Sequence, residues 1–384
     1  MLSPQDYFVD PDIRRAESLP AAAFTDEEFL ELELRTIFTK TWLLIPPENH
    51  SPDFLKPQGA RVPFSLLGMP LFLQRGSRGQ LHCFPNVCTH AWHPLVEGSG
   101  VSRTIICPQH GRQFDVEGRF VSQAGFNDLE NFPRESDHLR SIPVEEWARF
   151  AFACLGRPMA PLHEFTGEVQ NSVPGISMEK LRSHSTETDV REVDGNWKQH
   201  AWNYMDNFHI RFVHKGPGGL ADAIELPSYR TELYKFSSLQ WVYARKPENG
   251  FDPEAVHLRF GDPENPGKRV FALWWFIFPN LALNFYPWGL SVNQYMPVPE
   301  KPDKTRFLWY NYALDEEKFR RRNDIWLSEQ VDAEDIEAIS NVSRGAQSGL
   351  APRGRFAPRE EAGPHWFHRL VYETAFEAGR LGPS

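Results

Sequence analysis

Two short arms, each holding one cysteine and one histidine, constrain this chain more than anything else in it. They read Cys88-Thr89-His90, then sixteen residues, then Cys107-Pro108-Gln109-His110. Two thiolates and two imidazoles can hold a 2Fe–2S cluster with Cys on one iron and His on the other, an arrangement that raises the potential above that of an all-Cys cluster. Zinc also accepts two Cys and two His. Zinc fingers usually keep the Cys pair and the His pair in separate arms. Here each arm mixes the two, with Phe84-Pro85-Asn86-Val87 leading in and Gly111-Arg112-Gln113-Phe114-Asp115 leading out.

A chain of 384 residues is long enough for two domains with ample core. Its formal charge of −10, from 41 basic and 51 acidic residues, disfavours nucleic acid and anionic membrane as partners. If Cys88 and Cys107 bind metal, only Cys83 and Cys154 remain, with no disulfide framework, and a cytoplasmic location is expected. The segment Met1–Asp6 lacks the basic and apolar regions of a signal peptide. Val270–Leu290 is almost wholly apolar, but Pro279-Asn280, Asn284 and Pro287 interrupt it, so two aromatic-rich strands around a Pro-Asn turn are expected, not a membrane span.

The two arms resemble the cluster loops of the Rieske non-haem iron oxygenases. Asn86-Val87-Cys88-Thr89-His90 and Cys107-Pro108-Gln109-His110-Gly111 carry the resemblance. Ala91-Trp92 stand where many members have Arg-Gly, and Gln109 where an aromatic often follows Cys-Pro. The extra Cys that respiratory Rieske proteins carry in each loop is missing, which points to the lower-potential oxygenase or ferredoxin type. Cys88, His90, Cys107 and His110 are the cluster ligands that the resemblance implies.

Along the chain, Thr25 with Glu28 reads as a helix start, and Trp42–Ile45 as a buried strand. Short strands with Gly-containing turns run from Arg61 to Leu155 (62–66, 71–74, 81–84), closed by a strand over Trp147–Ala153. After a Gly/Pro linker at 156–161 come a helical stretch to 183, a strand near 188–193 and a helix from Trp197. Strands are expected at 237–243, 257–260, 270–278, 281–286, 294–298 and 305–314, then helix over 315–343 and a final helix with Trp366, Phe367, Leu370 and Phe376. The fold class is α+β. The resemblance implies an N-terminal arm and helix (1–40), a small antiparallel β Rieske domain (41–156) and a helix-grip catalytic domain, an antiparallel sheet with long helices (166–384).

A second constellation lies at Asp206-Asn207-Phe208-His209 and on to His214, ended by Gly216-Pro217-Gly218-Gly219. On an ideal helix, at about 100° per residue, His209 falls about 60° to one side of Asp206 and His214 about 80° to the other. The two histidines need a kink between them to meet one ion. Two His and one carboxylate form the facial triad of non-haem Fe(II) oxygenases, although a His pair alone is more often structural. Asn203–His214 is similar to the family's catalytic helix. By that resemblance His209 and His214 bind iron, and Asp206 bridges to His110 of a neighbouring subunit, where quaternary-amine branches usually have Glu. The third ligand is expected in Glu334-Asp335-Ile336-Glu337, with Asp335 in the ligand place and Asp332 as the alternative.

The resemblance implies a terminal oxygenase that uses O₂ and electrons from NAD(P)H, through a flavin reductase, a ferredoxin or both. Its cofactors would be one 2Fe–2S cluster and one mononuclear Fe(II), in a head-to-tail homotrimer. Trp274, Trp275, Phe276, Phe278, Phe285, Tyr286 and Trp288 supply aromatic surface for a pocket, with about half facing inward by strand alternation. Such a pocket suits an aromatic substrate or, through cation–π contact, a quaternary or methylated amine. Hydroxylation by one oxygen or two and oxidative demethylation stay open. The competing classes are a Rieske electron carrier without oxygenase activity and a zinc-organised interaction protein.

Overall fold

The computed structural model describes residues 2–46, 55–183, 189–216, 218–324 and 328–377. The chain forms two compact units, Thr39–Met159 and the combination of Met1–Phe38 with Ala160–Ser384.

The smaller unit is built from three antiparallel sheets. The first joins β1 (Leu43–Leu44), β10 (Phe150–Ala153) and β9 (Val144–Trp147). A four-stranded sheet runs in the order β4 (Leu81–Pro85), β3 (Met69–Arg75), β2 (Ala60–Leu66), β5 (Gly100–Val101), and a third joins β6 (Thr104–Ile106), β7 (Gln113–Asp115) and β8 (Phe120–Ser122). In β2 the inward set Ala60, Val62, Phe64 and Leu66 alternates with polar or half-buried residues, as a sheet with one covered face requires. Phe72, Phe84, Ile105, Phe114 and Leu139 pack with Cys88 and Cys107 in one apolar cluster, so the loop cysteines are part of the core. The single strand expected over Trp147–Ala153 is a hairpin instead: Trp147 pairs with Phe150 across a two-residue loop. Ala148 takes a φ of 51°, which tight two-residue hairpin loops demand.

The larger unit starts with α1 (Ala22–Thr25) and α2 (Glu27–Thr36). Asp26, not Thr25, caps α2: its extended backbone lets Oδ1 accept the Glu28 N–H at 2.8 Å. The Thr25 hydroxyl donates back to the Ala21 carbonyl inside α1. There follow α3 (His163–Ser172), β11 (Arg182–Ser183), β12 (Asp189–Asp194), α4 (Trp197–Met205), α5 (Ile210–Val213) and α6 (Leu220–Ala223). The sheet is completed by β13 (Arg230–Leu233), β14 (Ser237–Tyr243), β15 (Val270–Ile277), β16 (Leu281–Tyr286), β17 (Gly289–Val298) and β18 (Lys301–Ala313), in the order β11-β18-β17-β16-β15-β14-β13 with β12 also on β18. Helices α7 (Glu316–Arg320), α8 (Ser328–Gln347) and α9 (Ala362–Phe376) close the unit. Residues 258–260, expected as a strand, form a single 3₁₀ turn, because the His257 ring accepts the Arg259 N–H and caps it.

Every residue of β15 is buried. Phe276 meets Phe367 of α9 on one face, while Trp275 donates its indole N–H to Ser172 of α3 on the other. A strand covered on both sides reads as an unbroken apolar run, which accounts for the span-like segment. Among the described residues no helix is long and apolar enough to cross a membrane.

Two interior contacts tie the N-terminal segment to helices α4 and α9. Glu33 of α2 and Lys198 of α4 are fully buried, 2.7 Å apart, and Glu33 also accepts the Trp197 indole N–H. His368 of α9 is buried and accepts the Leu19 N–H at 3.1 Å; burial, with Lys198 and His365 nearby, pushes its pKa down to about 3. A folded-state pKa below the unfolded value near 6.5 means the unfolded chain binds the extra proton, so stability falls as pH drops below about 6.5. His368→Gln, which can still accept the Leu19 N–H but cannot titrate, should reduce that slope by up to about 1.4 kcal/mol per pH unit, measured by urea unfolding between pH 6.5 and 5.

Candidate metal centres

The two arms fold into loops with one shared backbone design. The Cys88 N–H donates to the His93 carbonyl at 2.9 Å and the Trp92 N–H to the Cys88 carbonyl at 3.0 Å. In the second arm, the Cys107 N–H donates to the Arg112 carbonyl at 2.8 Å and the Gly111 N–H to the Cys107 carbonyl at 3.0 Å. Both loops turn through a left-handed residue, Trp92 at φ 63° and Gly111 at φ 66°. Glycine takes that conformation freely, whereas a side chain there costs roughly 1–2 kcal/mol. Asn86 steadies the first loop: its side-chain oxygen accepts the Leu95 and Val96 N–H groups, and its amide donates to the Val96 carbonyl.

These loops set the thiols of Cys88 and Cys107 side by side in the core, and the rings of His90 and His110 4.7 Å apart toward solvent. Burial and the neighbouring Cys107 thiol push the Cys88 pKa up. Two facing thiols in an apolar setting, with two imidazoles at the outer edge, fit a 2Fe–2S group with one sulfur-bound and one nitrogen-bound iron. The remaining cysteines do not join them. Burial pushes Cys83 up to about 12 and Cys154 up to about 11, and the Cys154 thiol donates to the Thr39 carbonyl.

In the larger unit, Asn196 starts α4 with a reciprocal cap. Its side-chain oxygen accepts the Lys198 N–H, and its own N–H donates to Gln199 Oε1. The helix does not run on to His214 as one ideal element: it stops at Asp206, whose backbone is extended, and one further turn, α5, lies between His209 and His214. That break is the kink the two histidines needed. Their ring Nε2 atoms come within 3.2 Å of each other, and Asp335 Oδ1 of α8 lies 3.4 Å from His209 Nε2 and 3.1 Å from His214 Nε2. Two neighbouring ligands about 2.1 Å from an octahedral ion lie about 3.0 Å apart, so these three atoms have the spacing of one face of a metal site. Asp335 Oδ1 is buried without a well-formed hydrogen bond, a free acceptor that fits a cation held with the two ring nitrogens.

A carboxylate faces each outer nitrogen, hydrogen-bonded at His214 and more distant at His209. His209 Nδ1 lies 3.5 Å from Asp206 Oδ2, whose other oxygen accepts the Phe208 N–H, and His214 Nδ1 lies 2.7 Å from Glu334 Oε2. A carboxylate on the outer nitrogen fixes the ring and leaves the inner nitrogen for a metal. Burial disfavours charge on His209, but Asp206 and Asp335 outweigh it and raise its pKa to about 10. Burial likewise opposes charge on Asp335, yet the two imidazoles hold its carboxyl well below the usual range. A bound cation would take over the role of those ring protons.

A cavity of about 120 Å³ opens beside this cluster. Of the seven sheet aromatics expected to supply a pocket, Trp274, Tyr286 and Trp288 line it, and the other four are core. Tyr204, Tyr229, Tyr295, Phe307 and Trp309 also line it, as do Asn284, Ser291, Asn293 and Asn311. The last group was open to strand alternation, since Asn284 pairs with Ser291 and Ser291 with Asn311 in one row across the sheet. Asp332, one helical turn before Asp335, lines the cavity and is not among the three clustered ligands.

The profile of the ring hydroxylating alpha subunit (catalytic domain) matches residues 178–375, and that of the Rieske [2Fe-2S] domain matches 48–133. The chain belongs to the family of Rieske ring-hydroxylating oxygenase alpha subunits. It is an oxidoreductase, with a 2Fe–2S cluster and a mononuclear iron as cofactors and NAD(P)H as the distant electron source. It is 26% identical over 378 residues to the chloroplastic choline monooxygenase of Beta vulgaris, covering 95% of this chain and 79% of that one. It is also 26% identical to the carnitine monooxygenase oxygenase subunit of Acinetobacter baumannii over 382 residues, 96% of this chain and 95% of that protein. A solved quaternary ammonium Rieske monooxygenase superposes with a TM-score of 0.77 at 22% identity, over 97% of this chain and 99% of that one. Naphthalene 1,2-dioxygenase from Rhodococcus sp. gives 0.68 at 17% identity, over 95% of each chain. Nothing in these likenesses favours an electron carrier or a zinc-organised protein.

If Asp335 is the third iron ligand, Asp335→Ala should lose the mononuclear iron, with affinity down about 10- to 100-fold or more. Its cluster should persist, and Asp332→Ala should keep both centres. Iron and acid-labile sulfide analysis of the three proteins checks this.

Proposed function

We propose that this chain is the terminal oxygenase for a small cationic amine, quaternary or methylated, with a neutral polar tail. One observation carries the reading: the cavity beside His209, His214 and Asp335 is lined by aromatic rings and by Asp332, with no Lys or Arg among the described lining residues. Tyr229 stacks on Trp274, Tyr286 on Trp288 and Tyr295 on Phe307, presenting ring faces in pairs. An ammonium over such faces gains from about 0.5–1 kcal/mol when exposed to about 2 kcal/mol when desolvated. The charge of Asp332 reaches the same rings: after burial, it contributes to pushing the Tyr286 and Tyr295 hydroxyls up. A volume of about 120 Å³ suits a few heavy atoms, since an engineered cavity of about 150 Å³ takes up benzene. Asn284, Ser291 and Asn311 offer neutral hydrogen bonds to a hydroxyl, whereas a substrate carboxylate would meet no lining cation. Choline and carnitine name the activities of two relatives, and this cavity favours a choline-like ligand over a carnitine-like one.

His209, His214 and Asp335 would hold the iron on one face, and the bound metal would supply O₂ activation at its open positions. Asp206 orients His209 and, we propose, joins it to the partner subunit's His110, which suits the exposure of His110 here. One solved relative is described as revealing inter-subunit electron transfer. The assembly would be a head-to-tail ring of copies, a trimer, fed by a flavin reductase or ferredoxin. Four free thiols suit a cytoplasmic setting.

NADH-driven oxygen uptake with a surrogate reductase, screened over choline-like amines, carnitine and aromatic acids, tests the substrate class. Uptake matched by product only for aromatic acids would reject it. Asp332→Asn should raise KM for the amine about tenfold, the loss of roughly 1.4 kcal/mol of binding, with kcat and iron content nearly unchanged. Asp206→Ala should keep both metals yet lower coupled turnover by about 100-fold; normal product formation with excess reductase would refute the bridge.

A further inference from the structure

Arg112 follows the ligand His110 by two residues and is only 1% exposed. A guanidinium that deep needs compensation on every side. Its Nε–H donates to Gln123 Oε1 at 2.7 Å, and one Nη–H donates to Thr89 Oγ1 at 2.7 Å. The other Nη lies 3.4 Å from Asp137 Oδ1. The rings of Phe120, Phe126 and Phe132 enclose the charge, with centroids 5.1 to 5.5 Å from the guanidinium carbon. Asp137 is itself anchored by the Arg134 backbone N–H, and the Thr89 hydroxyl donates a hydrogen bond to the Asp137 backbone carbonyl.

These bonds run from one ligand loop to the other. The Arg112 carbonyl holds the Cys107 N–H in the second loop, while its side chain grips Thr89, which stands between Cys88 and His90 in the first. Because Arg can only donate, Gln123 Oε1 must accept. Its amide nitrogen lies 3.1 Å from His90 Nδ1.

We propose that Arg112 is a positioning residue for the iron–sulfur group: through Thr89 it locks the two ligand loops together and so fixes Cys88 and His90 relative to Cys107 and His110. Arg suits the position because its fork makes three directed contacts at once, which an ammonium cannot. The buried positive charge also favours the electron-loaded cluster over the oxidised one.

The test uses the full-length protein with its cluster reconstituted anaerobically, as wild type, R112L, R112K and T89V. Three readouts apply: the paramagnetic signal of the reduced cluster, its midpoint potential, and the rate of iron release to a chelator. R112L should release iron at least about tenfold faster, the scale of outer-shell losses. Its potential should fall by at least a tenfold shift in the oxidised-to-reduced ratio, 59 mV for a one-electron couple. R112K should recover the potential but not the retention of iron. T89V removes the hydroxyl that Arg112 grips but keeps the contacts of Arg112 to Gln123 and Asp137, so it should alter the signal and speed iron release, with little change in potential. If the Arg112 variants fail to fold, T89V decides alone. A T89V protein with wild-type signal and wild-type iron release overturns the proposal.

Discussion

A half-buried carboxylate facing two imidazoles organises the larger unit. His209 and His214 hold the Asp335 carboxyl well below its usual range, and one oxygen of that carboxylate lies beside both ring nitrogens, themselves 3.2 Å apart. Each part makes the others tolerable. The cost of assembling such like and unlike charges is borne by the scaffold, which brings α8 against the break between α4 and α5. The same three atoms have the spacing that a divalent ion would need from them.

That scaffold is over-determined around α4. The buried Glu33–Lys198 pair fixes its first turn against α2, and a reciprocal Asn196–Gln199 cap fixes where it begins. Gly363 lets α9 come close on its other side: a β-carbon there would sit 3.1 Å from the Met205 side chain. Breaking a buried pair by removing one partner typically costs about 3–5 kcal/mol. A helix pinned this firmly at its start can afford to end abruptly at Asp206, where function needs it to.

The sequence made the two Cys/His and His/carboxylate constellations legible but not what packs around them. Cys-x-His and Cys-x-x-His have few other meanings, and the strands of the sheet were visible from apolar runs, close to their true bounds at 237–243 and 281–286. Asp335 and Asp332 could not be separated by spacing alone. They are one turn apart on α8, and only the docking of that helix turns one toward the histidines and the other toward the cavity. Glu334 on His214 was hidden for the same reason: a residue of a charged helix announces nothing until its neighbour 120 positions away is known. The hairpin at 148–149 was missed because Ala-Arg carries no turn signal, and the left-handed Ala148 is imposed by strand pairing.

The two metal centres are stabilised in opposite electrostatic senses. Around the mononuclear site the outer contacts are anionic: Asp206 behind His209 and Glu334 behind His214 favour positive charge at the centre, as a resident divalent ion requires. Around the loop pair the buried outer group is a cation, Arg112, partly balanced by Asp137. A cation beside a group that gains an electron favours the gain, while anions beside a metal ion favour its retention. The division follows from what each centre must do: one has to accept an electron and give it up, and the other has to keep its ion while O₂ and substrate come and go. The charge packed behind the histidines, rather than the histidines themselves, therefore distinguishes the two clusters, since both contain a His pair.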